Sequence, residues 1–593
     1  MTRVAVFGGG MGGLAAAHEL AERGFEVDLY EKRDIWGGKA RSYGLHGTGT
    51  DGREDLPAEH GFRFFPGFYK HVPDTMRRIP YPEGGPGARV SDNLVQCQVG
   101  EMLRADAAPT IFPVRFPRSF KELRERVADL RGHGPLGLEP GELRYFLGRL
   151  WRIATSCQER RLKEYEQIPW WTYVGAASRS VAYQKLLARG MTRSLVAMRA
   201  EVAATRTVAD ILLQMAYYAL TPGASSDRVL NGPTSKVWLD PWRAHLRALG
   251  VRFHDRERLV RLVLGDDGAI AHAEVRGASD MVTRVEADHY VAAVPVEVMS
   301  QLVEGPLAEA APSLARLHEL SVEWMNGVQF YLSRDIPLVY GHSLYVDSTW
   351  ALTSISQPQF WRQGAYPLEK FGDGRVKGLL SVDISDWDDP GEYTTGADAR
   401  YCSRDQVIEE VWAQVQHHLA QSGYGPLRDD ERLHAHLDND IECPAPDSPE
   451  AECRRLAARH GLMKVREMTA LQPPLNGPGP KTMPWTELRQ PDRDLEPLLI
   501  NTVGSWADRP EATTEIPNLF LASDYVRTYT DLATMEGANE AGRRAVNAIL
   551  DAEASPAPRC RTWPLHEPLL LAPFRAIDWI RFRMGQRSGE SPL

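Results

Sequence analysis

Residues 3–31 read RVAVFGGGMGGLAAAHELAERGFEVDLYE, and this stretch decides the fold. Residues 3–7 form an apolar run that predicts a buried parallel strand. The alanine-rich stretch that follows carries apolar residues on one face, which predicts a helix ending at Gly24. Residues 25–30 predict a second strand that finishes at Glu31. Strand, glycine-rich turn, helix and strand in this order predict a dinucleotide-binding βαβ unit of an α/β protein.

The glycine-rich turn predicts where the pyrophosphate of a dinucleotide binds. Gly8, Gly10 and Gly13 satisfy the pattern GxGxxG. The first glycine makes a tight turn, the second lets backbone N–H groups approach the phosphates, and the third lets helix and strand pack closely. The helix N-terminus stabilises the negative charge. Glu31 can accept hydrogen bonds from a ribose hydroxyl, which favours FAD or NAD over NADP.

The composition limits the remaining possibilities. A chain of 593 residues, 43% hydrophobic and 25% charged, predicts a globular protein with at least two domains. Its net charge of −10 argues against a nucleic-acid partner. The six cysteines are scattered without a CxxC pair, so we expect no disulfide framework and no metal site. With no signal-peptide pattern and no bilayer-spanning run, we expect a cytoplasmic protein, either free or peripheral to a membrane.

A second motif distinguishes between the two dinucleotides. Residues 35–42, IWGGKARS, resemble the GG-(R/K)-x-x-(S/T) motif of the flavin superfamily that contains amine oxidases and carotenoid desaturases. In that family the segment passes over the FAD pyrophosphate, where the cations of Lys39 and Arg41 have an electrostatic role. The resemblance implies that the cofactor is FAD.

Both the C-terminal region and the middle of the chain extend this resemblance. Residues 517–524, PNLFLASD, and residues 533–538, ATMEGA, before a predicted helix at 539–550, look like the closing signature of the family. The resemblance implies a hydrogen bond between Asp524 and the ribityl or pyrophosphate region. It also implies a helix N-terminus at Met535 to Ala538 beside the pyrimidine oxygens of the flavin. Ser523 replaces the usual glycine.

Residues 250–295 resemble the adenine-side hairpin of the family and the strand that follows it. Strands are predicted at 250–253, 259–262 and 287–295, with a tight turn at 266–268. By this resemblance Leu259 contacts the adenine; a plain core leucine is the alternative.

These motifs lie far apart in sequence, which predicts a discontinuous domain. The fold class is α/β, with a discontinuous Rossmann-like FAD-binding domain of the amine-oxidase type and an interleaved α+β substrate-binding domain. The predicted FAD-binding domain consists of residues 1–90, 231–305 and 501–555. The predicted substrate domain consists of residues 91–230, which are mainly helical, and residues 306–500, which form a sheet with helices. Residues 556–593 form a tail with a candidate amphipathic helix.

An aromatic-rich segment indicates the branch of the superfamily. Residues 59–69, EHGFRFFPGFY, are similar to a segment of plant-type phytoene and ζ-carotene desaturases and of hydroxysqualene dehydroxylases. The resemblance implies that Gly61, Phe62 and Arg63 lie against the flavin. Arg63 stands where those enzymes often carry His, and we take it as a candidate catalytic residue.

Together these motifs give a predicted set of residues that contact FAD. The set consists of Gly8, Gly10, Met11, Gly12, Gly13, Glu31, Lys32, Gly38, Lys39, Arg41, Gly61, Phe62, Arg63, Leu259, Asp524, Met535 and Ala538.

The main functional hypothesis is an FAD-dependent oxidoreductase that desaturates an apolar, isoprenoid or polyene-like substrate by hydride transfer to flavin N5. Each residue of the aromatic clusters is more typical of an ordinary core, but taken together the clusters are consistent with an apolar tunnel for that substrate. They are Trp170, Trp171, Tyr173, Tyr217, Tyr218, Trp350, Phe360, Trp361 and Trp506. No second GxGxxG follows a plausible strand, so oxygen or a quinone is the expected electron acceptor.

The alternative hypothesis is a flavin amine oxidase or dehydrogenase acting on an amine-bearing natural product. Amine oxidases commonly place a Lys near flavin N5. Here Gln329 falls at about that position, and no Lys lies between Lys236 and Lys370. Gln329 is therefore the second candidate catalytic residue. A redox-neutral isomerase and a binding module similar to Rab GDP dissociation inhibitors are further alternatives. The apolar, basic tail predicts either a membrane-surface helix or a helix that closes the core.

Overall fold

The protein is described by a computed structural model. It covers residues 1–114, 137–194, 198–224, 226–444, 463–471, 475, 482–484 and 493–587.

A five-stranded parallel sheet is assembled from the beginning, the middle and the end of the chain. Its strands, in spatial order, are Arg252–Asp255, Glu26–Glu31, Arg3–Phe7, His289–Ala292 and Leu519–Leu521. The central strands are buried apolar runs, as both faces of a parallel sheet require. The sheet is that of a discontinuous Rossmann-like domain, and the predicted α/β fold class is confirmed.

Two helices pack against each other beside this sheet. They are Met11–Ala21, which follows the first strand, and Met535–Ala552 near the C-terminus. A Cβ at Gly542 would lie 2.7 Å from the backbone oxygen of Gly12, so this close approach requires glycine. The second helix begins four residues before its predicted start because the Thr534 Oγ1 accepts a hydrogen bond from the Gly537 N–H at 3.1 Å.

The middle segment forms a separate antiparallel sheet. Its strands are Arg258–Leu264, Ile270–Arg276 and Val282–Val285, and the predicted turn lies between the first two.

A seven-stranded mixed sheet forms the centre of the second half of the fold. Its strands, in spatial order, are Arg432–Leu437, Asn326–Leu332, Gly378–Ile384, Thr353–Ser356, Ser343–Tyr345, Val99–Arg104 and Ala107–Pro113. In this register Asp383 pairs with Gly327 on one neighbouring strand and with Thr353 on the other.

The other elements are shorter or lie around these sheets. The helices are His71–Arg78, Glu142–Ala154, Gln158–Lys163, Trp170–Tyr173, Val181–Tyr183, Thr205–Leu220, Asp240–Ala248, Val296–Leu302, Pro306–Ala310, Pro312–Ala315, Pro358–Trp361, Arg404–Ala420, Val465–Leu471, Ser505–Asp508 and Ala572–Arg583. The strands are Ser42–Gly44, Pro57–Glu59, Phe64–Phe65, Leu94–Gln96, Arg228–Leu230, Ser321–Glu323, Ile441–Pro444, Met463–Lys464, Thr482–Pro484, Arg493–Asp494 and Leu498–Ile500. Within the described ranges, no helix has the length and apolar character needed to cross a bilayer.

Candidate functional site

A cavity of about 370 Å³ runs from the carboxyl ends of the parallel strands to the seven-stranded sheet. Many of the residues predicted to contact FAD line it. They are Gly8, Gly10, Met11, Gly12, Glu31, Lys32, Gly38, Lys39, Gly61, Phe62, Arg63, Asp524, Met535 and Ala538. The folded chain therefore brings together, around one space, residues separated by up to 530 positions.

The glycine-rich turn forms one wall of this cavity. Gly8 has φ +110°, and a Cβ there would lie 2.3 Å from the Ala293 carbonyl oxygen, so the turn requires glycine. Gly10 differs, because a Cβ there would come no closer than 3.9 Å to another atom, the Cα of Gly38. Its backbone is extended, with φ −79° and ψ −172°, a conformation open to any residue. A side chain at position 10 would therefore fit the fold and project into the cavity.

Glu31 closes the turn from the end of the second strand. Its Oε2 accepts a hydrogen bond from the Gly9 N–H at 2.8 Å, and its Oε1 accepts one from the Arg33 N–H at 3.0 Å. Each carboxylate oxygen retains a lone pair for a further donor. The carboxylate is thus fixed in position at the cavity wall.

Two lysines add positive charge to this end of the cavity. Burial lowers the pKa of Lys32. Burial acts on Lys39 in the same direction, but the carboxylates of Asp524 and Glu297 raise the pKa of Lys39 above its ordinary value. Neither oxygen of Glu297 has a hydrogen-bond partner among the described residues, and burial raises its pKa to about 7. A lysine held cationic beside a cavity is suited to bind a phosphate.

Four of the predicted site residues do not line the cavity. Gly13 lies behind the turn, where a Cβ would be 1.9 Å from the Gly8 oxygen. Arg41 bonds Glu496, Asp440 and the Gly38 carbonyl oxygen, and so braces the Gly38 turn from outside.

Leu259 and Gln329 are the other two. Leu259 is buried in the core, on the first strand of the antiparallel sheet. Gln329 is 1% exposed, and its Nε2 donates to the Glu59 carbonyl oxygen at 3.0 Å. Its amide thus holds the strand Pro57–Glu59 to the seven-stranded sheet and is turned away from the cavity.

The start of the helix Met535–Ala552 forms another wall. Leu532, Ala533 and Thr534 line the cavity ahead of Met535. Glu536 is buried, and its carboxylate accepts hydrogen bonds from the backbone N–H groups of residues 70–72 at 2.6 to 2.9 Å. Burial opposes ionisation, yet the His71 hydrogen bond and these donors lower the pKa of Glu536. This carboxylate ties the closing segment to the first segment, a role that the sequence analysis missed.

The far end of the cavity, toward the seven-stranded sheet, is mainly apolar. Its apolar lining includes Phe62, Phe64, Phe68, Met198, Ile211, Met215, Leu499 and Leu532. The aromatic clusters expected to form an apolar tunnel do not line it, so that interpretation was wrong. Trp170, Trp350 and Trp361 are at most 1% exposed and belong to the core.

Four polar side chains stand among these apolar ones: Arg63, His342, Thr353 and Asp383. Arg63 donates to the Gly61 carbonyl oxygen, while its Nε has no partner among the described residues. His342 packs against Phe62 and Phe64, and burial lowers the pKa of its imidazole to about 3. Burial raises the pKa of Asp383 to about 7, although the Arg63 guanidinium acts in the opposite direction.

The sequence analysis missed His342, Thr353 and Asp383. The available signal for Asp383 was its place in GLLSVDI, where one charged residue interrupts a buried strand. Buried charges in strands need a partner or a function, but nothing in the sequence alone tells which face the side chain takes.

Two family matches fall on segments that line the cavity. Residues 6–79 match an NAD(P)-binding Rossmann-like domain, and residues 496–550 match the flavin containing amine oxidoreductase family. The probable zeta-carotene desaturase of Synechococcus elongatus is 23% identical over 93% of this chain and 99% of its own length. The chain belongs to the superfamily of flavin amine oxidases and carotenoid desaturases. It is thus a member of a family of flavin-dependent oxidoreductases.

Other relatives in the superfamily match over shorter stretches. Carotenoid phi-ring synthase of Chlorobaculum tepidum is 23% identical over 46% of this chain and 40% of its own length. The 15-cis-phytoene desaturase of Arabidopsis thaliana is 22% identical over 58% of this chain and 56% of its own length. The matched region thus spans about half the length of these two relatives or less.

Two solved structures share the fold. An oxidoreductase from Methanosarcina mazei has a TM-score of 0.55 at 13% identity, covering 93% of this chain and 100% of that one. Cyclohexylamine oxidase from Brevibacterium oxydans has a TM-score of 0.54 at 13% identity, and the match covers 93% of this chain and 99% of that one. At this identity the likeness establishes the fold alone.

Proposed function

We propose that the protein binds FAD in this cavity and desaturates an apolar, isoprenoid or polyene-like substrate. The observation that carries the proposal is the continuity of the cavity, which joins a glycine-rich turn with two lysines to a mainly apolar chamber. The first end has the features that bind a dinucleotide, and the second has the lining that binds an apolar molecule.

The residues at the first end fit FAD. Gly10 leaves open the space that a pyrophosphate would take, and Lys39 would bind its oxygens. The carboxylate of Glu31 would accept hydrogen bonds from ribose hydroxyls while keeping its contacts with the Gly9 and Arg33 N–H groups. The N-terminus of the helix Met535–Ala552 would stabilise negative charge.

FAD supplies the redox chemistry when bound, because its N5 accepts a hydride. The chain's own residues then hold the reacting carbons and exclude water. Phe62, Phe64 and Met215 give an apolar surface for a hydrocarbon, and His342 stays neutral because burial lowers the pKa of its imidazole. Arg63 would lie beside the flavin. Oxygen or a quinone would take the electrons onward.

The carotenoid relatives support this choice of substrate class. The probable zeta-carotene desaturase is similar to this chain over 93% of the chain's length. The mainly apolar far end agrees with a hydrocarbon substrate of that kind.

The second candidate, an amine oxidase or dehydrogenase, is favoured by one specific observation. A carboxylate at Asp383 faces the apolar chamber and could pair with a substrate ammonium group. Arg63 counts against this, since its guanidinium stands at the same end and would repel a cation.

Anaerobic mixing of the purified holoprotein with candidate substrates separates the two. We expect a polyene precursor such as phytoene in detergent to bleach the visible flavin band, and aliphatic amines to leave it unchanged. Stopped-flow absorbance measures the rate. Bleaching by amines alone would reject desaturation in favour of amine oxidation. Release and mass spectrometry of the bound cofactor checks that it is FAD.

A membrane surface would supply such a substrate, and the tail carries an apolar patch suited to it. We define the tail patch as Leu569, Leu570, Phe574, Ile577, Ile580 and Met584, all exposed by 41% or more. The stripe Leu143, Leu147 and Trp151 on the helix Glu142–Ala154 continues it, since the rings of Trp151 and Phe574 lie 5.7 Å apart. Exposed arginines, Arg144, Arg583 and Arg587, stand nearby in sequence.

The tail patch also lies close to the cavity. The helix Thr205–Leu220 contributes Ile211 and Met215 to the cavity wall. Gln214 of the same helix holds the tail by two hydrogen bonds with the backbone of His566, at 2.8 and 2.9 Å. A lipid-soluble substrate entering from a bilayer at the tail patch would meet this helix. We propose that the patch rests on the membrane interface.

Substitution of Leu570, which is 83% exposed, by Asp tests this role. We expect Leu570→Asp to weaken cosedimentation with anionic liposomes by about tenfold, because a charge must then enter the interface. The matched control is Met281→Asp, an exposed apolar residue of the antiparallel-sheet region, which should bind like the wild type. Equal binding by both variants would reject the patch.

Truncation of the tail is not a clean test. The segment before the helix is built into the core: Cys560 is 4% exposed, and the Trp563 N–H donates to His71 Nε2 at 3.0 Å. Removing it would expose these surfaces and perturb the fold together with the patch.

A further inference from the structure

Asp383 lies at a closely packed place between the segment that lines the cavity and the seven-stranded sheet. It sits on the strand Gly378–Ile384, and its Oδ1 accepts a hydrogen bond from the Phe62 N–H at 3.3 Å. A Cβ at Gly61 would lie 2.8 Å from this oxygen, and one at Gly327 would lie 3.1 Å from it. Glycine at both positions is therefore what leaves room for the carboxyl group against the segment that lines the cavity.

The groups that face Asp383 come from the neighbouring segment and strands. Arg63 and His60 favour its ionised form, and Glu59 disfavours it. The adjacent strands contribute Gly327 and Thr353, which carry no charge. Arg63 does not form an ion pair with Asp383, and among the described residues the long bond from the Phe62 N–H is the one hydrogen bond that Asp383 accepts. The carboxyl group is therefore only weakly satisfied by the protein, and its side chain is partly exposed to the cavity.

The other ionisable groups near this end cannot accept a proton at neutral pH. Arginine remains protonated in proteins, which excludes Arg63. Burial holds the pKa of His342 at about 3, so it is a poor base. The His60 ring is already engaged, because its Nδ1 pairs with the Asp438 carboxylate, which raises the pKa of His60 although burial acts in the opposite direction. Among the described residues at the apolar end, Asp383 alone combines access to the cavity with the capacity to take up a proton.

We propose that Asp383 is the catalytic base that accepts the substrate proton during desaturation. The step rests on the proposed function. One C–H bond breaks with its electron pair leaving as hydride to flavin N5, so the substrate is oxidised by two electrons and the flavin is reduced. The adjacent C–H bond breaks with its proton going to Asp383, and its electron pair becomes the new C=C bond. Oxygen or a quinone reoxidises the flavin, and the carboxyl proton returns to solvent.

The position of Asp383 suits this role physically. The mainly apolar lining of the chamber offers few partners that could hold an ordered water as the proton acceptor. A base is most effective when its pKa lies near the working pH, and burial brings that of Asp383 to about 7. Arg63 beside it favours the carboxylate before the proton arrives, without an ion pair that would block access.

The test compares Asp383→Asn with the wild type, both as holoproteins. Anaerobic flavin reduction by the polyene is measured between pH 5.5 and 8.5, roughly 1.5 pH units on either side of the expected pKa. In the wild type we expect the reduction rate to rise with pH and level off above a midpoint near 7, because only the carboxylate accepts a proton. The Asn variant should lose that pH dependence and react about 100-fold more slowly. Asp373→Asn is the matched control and should behave as the wild type, because this carboxylate lies outside the cavity lining and pairs with the exposed Arg375.

A second readout does not depend on turnover. The flavin absorbance spectrum of the substrate-free wild type, titrated over the same range, should shift with a midpoint near pH 7, and the shift should be absent in Asp383→Asn. Flavin content should be equal in both, since Asp383 is outside the predicted phosphate end.

The outcomes separate the two proposals. If no polyene bleaches the wild-type flavin, the proposed function fails and the role of Asp383 in desaturation falls with it. If polyenes bleach the wild type and Asp383→Asn reacts at the same rate, only the role of Asp383 is rejected. Should the variant not fold, a wild-type rate and spectrum without a transition near pH 7 would equally reject it.

Discussion

Gly10→Val is expected to give a folded protein that no longer holds flavin. The valine side chain has room in the fold, because the backbone at position 10 is extended and a Cβ meets no atom closer than 3.9 Å. That room is the part of the cavity proposed for the pyrophosphate. We expect flavin affinity to fall at least about 100-fold, equivalent to about 2.8 kcal/mol.

Valine substitutions at two other glycines serve as controls for Gly10→Val. Gly148→Val, in the exposed part of the helix Glu142–Ala154, also enters open space and should keep its flavin. Gly12→Val should fail differently, because a Cβ there would lie 1.7 Å from the Ala522 carbonyl oxygen and would disrupt the packing of the turn. Gly10→Val therefore separates loss of the cofactor from loss of the fold.

The measurement is flavin content after purification and the Kd on adding FAD back, with circular dichroism and thermal unfolding as the fold check. Valine at a helix N-cap should cost about 1 kcal/mol of unfolding free energy. A Gly10→Val protein that retains flavin at the wild-type level would show that the phosphates bind elsewhere.

The parts of this fold that the sequence predicted are those fixed by local chemistry. The turn at Gly8 needs a positive φ, so it leaves a glycine signal within a few residues. The observed strands Arg3–Phe7 and Glu26–Glu31 agree with their predictions to within one residue. Burial on both faces of a parallel sheet leaves a continuous apolar run that is easily recognised.

The parts that the sequence could not predict depend on which face a side chain takes. Arg41 stands in a motif that resembles a phosphate-binding segment, but Glu496 and Asp440, about 400 residues away, draw its guanidinium outward. Gln329 lies on a strand whose residues are all buried, so no alternation of polar and apolar residues indicates to which face its side chain points. The aromatic clusters pack as core for the same reason: apolar residues suit a core and a cavity wall equally.

Asp531 joins the helix Thr205–Leu220 to the segment around Arg509, and Asp531→Asn should destabilise that junction severely. Asp531 is 3% exposed, and its carboxylate bonds Arg206 on the helix Thr205–Leu220, Arg509 in the closing segment, and the Thr207 hydroxyl at 2.6 Å. Arg509 is fully buried, and burial lowers its pKa. Removal of the shared carboxylate would leave an excess buried positive charge, which costs about 3–5 kcal/mol.

Asp531→Asn is chosen because it should not change the backbone conformation. Asp531 has φ +47°, in the left-handed region that Asn tolerates as well as Asp does, so shape and conformation are kept and only the charge is removed. Arg206 keeps its bond to Glu166 at 2.9 Å, but Arg509 retains only backbone carbonyl oxygens, including those of Tyr525 and Val526. The loss should therefore come mainly from Arg509.

Asp551→Asn is the matched control, because it removes a carboxylate from a pair with Arg559 in which both side chains are more than half exposed. Such a pair is worth about 0–1 kcal/mol. Urea unfolding of the holoprotein, followed by tryptophan fluorescence, compares the two variants. Since Leu532 and Ala533 line the cavity directly after Asp531, flavin should also be released at a lower urea concentration in Asp531→Asn. Equal unfolding midpoints for the two variants would mean that the buried arginines find other partners and that this junction does not depend on Asp531.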